Sequence, residues 1–67
     1  MDKQGIAQII LKLRLDNKLS QKQLGEKLGY SQRTISDWEK GNTEPNIEAI
    51  KKLVILFDIS YEELLDN

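Results

Sequence analysis

The sequence predicts an all-α domain of five short helices. Apolar residues recur at spacings of three and four, Ser or Asn stands where most such runs begin, and Gly or a polar break stands where they end. No stretch alternates apolar and polar residues long enough to make a strand. The 67 residues form one domain, 1–67, close to the lower size limit for independent folding. A 39% hydrophobic and 31% charged composition suits a packed domain rather than a disordered chain.

The first helix is expected from about Lys3 to Asp16, with Ile6, Ile10 and Leu13 on one face. Asp16-Asn17-Lys18 breaks that pattern. Ser20 followed by Gln23 is a capping box, so a second helix is expected over about Gln21 to Leu28, with Leu24 and Leu28 inward. Gly29 is a natural left-handed stop. Ser31 caps a third helix, about Gln32 to Lys40, whose apolar positions are Ile35 and Trp38; Gly41 ends it. After a loop through Pro45, Asn46 caps a fourth helix, about Ile47 to Phe57. Its expected buried stripe is Ile47, Ile50, Leu53, Val54 and Phe57. Ser60 with Glu63 is a second capping box and opens a fifth helix, about Tyr61 to Leu65, with Leu64 inward.

Composition narrows the function. The chain has no Cys and no His, which excludes disulfides, thiolate or imidazole metal sites and nucleophile–imidazole catalysis. Adjacent Glu62 and Glu63 point about 100° apart on a helix and do not make a catalytic pair. No Gly-rich phosphate loop occurs, so neither an enzyme nor a cofactor is expected. The longest apolar run, Leu53 to Phe57, is far short of a membrane span, and no secretory signal is recognisable; a cytoplasmic location is expected. Net charge is −1, but it is divided: residues 1–43 carry +3 and residues 44–67 carry −4. Such a split gives one part suited to anions and one acidic part.

Residues of about 20–40 read as a helix-turn-helix, with Gly29 in the turn and Gly25 where the two helices approach each other. The outer face of the third helix presents Gln32, Arg33, Ser36, Asp37 and Lys40. Gln matches adenine N6 and N7, and Arg matches guanine O6 and N7 in a DNA major groove. Both lie in the first turn, the part of a recognition helix that reaches base edges. Ser36 suits either base type, and Asp37 suits cytosine N4 or holds the Arg33 guanidinium. Trp38, three residues after Ile35, is expected in the core rather than stacked on a base. Tyr30 is left between packing and a phosphate contact.

The series Leu19-Ser20-Gln21, Leu24-Gly25, Leu28-Gly29, Ser31, Thr34-Ile35-Ser36, Trp38-Glu39-Lys40-Gly41, Pro45, Ile50, Leu53, Phe57 and Ser60 through Leu65 resembles the Cro and repressor-type helix-turn-helix regulators, also called the xenobiotic-response-element family. The resemblance covers nearly the whole chain. It implies a lambda-repressor-like DNA-binding domain and a transcriptional regulator, with repression by promoter occlusion expected. Gln32, Arg33, Ser36 and Asp37 are then the candidate base contacts. Gln21 is expected to bond a phosphate and support Gln32. Lys22, Ser31 and Thr34 join it as candidate phosphate contacts at the two helix starts, and Lys40, Asn42 and Thr43 are those for the second strand. Arg14 and Glu39 match a buried ion pair between the first and third helices.

The resemblance also implies a homodimer on an inverted-repeat operator in double-stranded DNA, with half-sites about one turn, roughly 34 Å, apart. Leu56, Tyr61 and Leu65 are the candidate dimer contact; with Ile9 and Leu11, the two leucines exceed what one core face needs. An alternative is a protein-interaction module, such as the antitoxin of a toxin–antitoxin pair, whose acidic 44–67 region meets a basic protein partner.

Overall fold

Capping chemistry sets the helix boundaries. In the computed structural model, which describes residues 5–65, the helices are α1 (Gly5–Asp16), α2 (Gln21–Leu28), α3 (Gln32–Lys40), α4 (Ile47–Phe57) and α5 (Tyr61–Leu65). The expected start of the first helix near Lys3 lies outside the described residues. At α2 the Ser20 hydroxyl accepts the Gln23 amide N–H, and the Gln23 side chain accepts the Ser20 N–H. Ser60 and Glu63 repeat this reciprocal pair at α5. Ser31 accepts from Thr34, and Asn46 from Ala49. Each cap satisfies a backbone donor that the helix itself cannot.

The helix ends use left-handed residues. Gly29 and Gly41 serve α2 and α3, as the sequence indicates. Lys18, just beyond α1, and Asp58, which ends α4, also take positive φ, 59° and 56°, without being glycine. At α1, α3 and α4 the next N–H reaches back five residues: Leu19 to Arg14, Asn42 to Asp37 and Ile59 to Val54. This closure fixes the exit direction of each helix.

One core joins the elements. Ile10 of α1, Leu24 and Leu28 of α2, Ile35 and Trp38 of α3, Ala49, Leu53 and Val54 of α4, and Leu64 of α5 are buried together. α3 packs on both α2 and α1, α4 on α2, and α5 on α1 and α4. The fourth-helix stripe needs one correction. Ile47 is 72% exposed, and the buried positions are Ala49, Leu53 and Val54, with Ile50 and Phe57 partly buried against them. At about 100° per residue, Ile47 lies roughly 90° from the centre of the stripe formed by Ala49, Ile50, Leu53, Val54 and Phe57, which puts it beyond the stripe's edge. Leu56 and Ile9, expected as surplus surface residues, pack against the core. No helix among the described residues is long and apolar enough to cross a membrane.

The α2–α3 turn is a steric fit. The Gly25 carbonyl accepts from both Gly29 and Tyr30 N–H, at 2.7 and 2.8 Å. A Cβ on Gly25 would collide with the carbonyl oxygen of Tyr30, which is backbone and cannot swing away. Gly25→Ala is therefore expected to destabilise the domain by about 1–3 kcal/mol. An unchanged melting temperature would mean that α2 and the turn are not in close approach.

Candidate nucleic-acid interface

α3 buries Ile35 and Trp38, so helical geometry turns Gln32, Arg33, Ser36, Asp37 and Lys40 away from the core. Gln32 and Arg33 are exposed, and the Arg33 side chain is 88% accessible. Asp37, one turn on, stands 3.9 Å from the Arg33 Nε, a loose pair that leaves the guanidinium free to reorient. Ser36 and Asp37 are half-buried. These four residues line one shallow concavity together with Gln21 of α2, Lys40 at the end of α3 and Asn42 beyond it. Seven of the sequence-predicted contact residues thus share a single surface.

The start of each flanking helix meets this surface. Gln21 and Lys22 are the first two residues of α2, and Gln32 and Arg33 the first two of α3. Their backbone N–H groups have no partner within the helix and carry the positive end of the helix dipole. The Ser31 and Thr34 hydroxyls lie 3.0 Å apart and share one hydrogen bond, so one hydroxyl proton of the pair remains to donate. The side chains of Lys22, Lys40, Asn42 and Thr43 are exposed, and the backbone N–H groups of Asn42 and Thr43 both bond to the Asp37 carbonyl.

Beneath the surface is a polar clamp. Arg14 donates from Nε to Glu39 Oε2 at 2.6 Å and from Nη2 to Glu39 Oε1 at 3.0 Å. Its Nη1 donates to the Leu19 carbonyl at 2.8 Å. The Arg14 and Glu39 side chains are only 11% and 5% accessible. A bidentate pair this buried fixes geometry more than it adds net stability. Gln21 joins it by donating from Nε2 to Glu39 Oε1 at 2.9 Å, a contact that sequence reasoning missed. The two residues are 18 positions apart on different helices, and no spacing rule connects them.

Two further features lie outside the expectations. Tyr30, left open by the sequence, packs edge-on against Trp38 with ring centroids 5.2 Å apart. Lys52 lies over the Tyr30 ring and donates to the Leu28 carbonyl at 3.2 Å, which secures the end of α2. Among the residues considered for a dimer contact, Tyr61 and Leu65 are exposed while Leu56 is half-buried. Ile55, which the sequence did not single out, is 78% exposed.

A family model described as helix-turn-helix matches residues 10–64. The chain is 41% identical over 55 residues to the HTH-type transcriptional activator BcrR of Enterococcus faecalis, a match covering 82% of this chain. It spans only 27% of that relative's length. Among solved structures, the chain matches the P22 c2 repressor protein crystallised in complex with synthetic operator 9T in the presence of Tl+. That match has a TM-score of 0.85 and 34% identity, over 91% of this chain and 92% of that one.

Proposed function

Because the chain belongs to the helix-turn-helix family, we propose that it binds duplex DNA in a sequence-specific manner and regulates transcription, with α3 seated in the major groove. The observation that carries this reading is the concavity at the N-terminal turn of α3. There the amide of Gln32 and the guanidinium of Arg33 stand exposed, and their donors and acceptors match the adenine and guanine edges of a major groove. Ser36 and Asp37 are the remaining candidate base contacts. The open N–H groups of α2 and α3, with Lys22, Ser31, Thr34, Lys40, Asn42 and Thr43, serve the phosphates, which position the helix without reading sequence.

Repression by occluding a promoter takes its support from the likeness to the P22 c2 repressor, at 34% identity and a TM-score of 0.85. A homodimer on an inverted repeat, with Tyr61, Leu65 and the rim of Leu56 between the copies, completes the proposal. Adding the protein is expected to lower transcription from a promoter that carries its site; a rise would contradict repression.

Gln32→Ala is expected to weaken binding to the preferred site by about 1–3 kcal/mol and to relax preference at one base pair. Titration against the preferred duplex and its single-base variants checks this. An equal loss on every duplex would contradict base reading by Gln32.

A further inference from the structure

Three helices meet at Glu39. Its Oε1 accepts from Arg14 Nη2 of α1 and from Gln21 Nε2 of α2, while Oε2 is held by Arg14 Nε. A carboxylate only accepts hydrogen bonds, so the Gln21 amide has one permitted orientation here, nitrogen toward Glu39 and oxygen away. The reverse would set oxygen against oxygen in a nearly buried place. The carboxylate cannot follow Gln21 outward, because Arg14 grips both its oxygens and is itself anchored on the Leu19 carbonyl.

We infer that Glu39 is a positioning residue for the interface, acting through Gln21. The inference rests on the duplex-binding reading above. With one Nε2 proton spent on Glu39, Gln21 keeps its second N–H for a phosphate oxygen. Its Oε1 keeps its capacity to accept, and Gln21 lines the concavity shared with Gln32. An amide fixed before binding loses less freedom when the duplex arrives. The buried ion pair thereby reaches the DNA surface in one step, from Arg14 through Glu39 to Gln21.

The test is a double-mutant cycle on the preferred duplex, run at a temperature where melting curves show every variant folded. Glu39→Asp keeps the charge opposite Arg14 but withdraws the carboxylate by about one bond length, roughly 1.5 Å. It is expected to weaken specific binding about five- to tenfold with Gln21 present, and less than about twofold in a Gln21→Met background. Equal losses in the two backgrounds would make Glu39 purely structural and overturn the inference. A wild-type chain that prefers no duplex would instead defeat the functional reading beneath it.

Should Glu39→Asp fail to fold, proton exchange of the wild-type glutamine side chains tests the bond on which the inference stands. One Gln21 Nε2 proton is expected to exchange more slowly than those of exposed Gln32. Equal exchange would overturn the inference.

Discussion

Trp38→Ala is expected to unfold the domain. Trp38 is buried in the last turn of α3, between the core and the edge-on ring of Tyr30. Removing a buried indole costs about 3–5 kcal/mol, through lost burial and the cavity left behind. A chain of this size has a total stability of only about 3–10 kcal/mol. Circular dichroism is expected to show loss of helix or a melting transition moved far down, whereas Trp38→Phe keeps a cooperative but lower one. Binding is lost only because the helix that carries Gln32 and Arg33 is no longer formed. A Trp38→Ala protein that stays folded and loses only binding would contradict the core position of Trp38.

Arg14→Ala is the second large effect, and its cause is electrostatic. The substitution leaves the Glu39 carboxylate nearly buried without its cation and removes the donor to the Leu19 carbonyl. Breaking one partner out of a buried pair costs about 3–5 kcal/mol, because the remaining charge is uncompensated. Replacing both partners with apolar residues, as in Arg14→Met with Glu39→Leu, is expected to recover much of that loss, since no buried charge is then left alone. Thermal melting of the single and double variants checks this. An unchanged melting curve for Arg14→Ala would mean that the clamp does not hold α1 to α3.

Most of the fold was legible because its signals are local. Ser20, Ser31, Asn46 and Ser60 announce helix starts through side chains that act within three residues, and Gly29 and Gly41 announce ends through a conformation that other residues rarely take. Lys18 and Asp58 take the same left-handed conformation without that signal. Their backbone is set by the bonds from Leu19 and Ile59 and by the packing of the helices they join. Ile47 misled because hydropathy ranks Ile above Ala, whereas the helical period sets Ala49 on the buried face and Ile47 off its edge.

The candidate site divides in the same way. The outward positions of α3 follow from its period once Ile35 and Trp38 are placed in the core. The Arg14–Glu39 pair entered through family resemblance, since 25 residues separate the partners. The Gln21–Glu39 bond was not legible at all. It exists because α2 and α3 meet at a turn that only Gly25 permits, which brings the first residue of one helix against the eighth of the next.

The most direct measurement is selection of bound sites by the folded protein from a random duplex pool at about 100 mM salt, a concentration at which phosphate contacts alone bind weakly. An enriched inverted repeat is expected, with half-sites about one turn apart, roughly 34 Å. No enrichment, by protein shown to be folded, would contradict major-groove reading by α3.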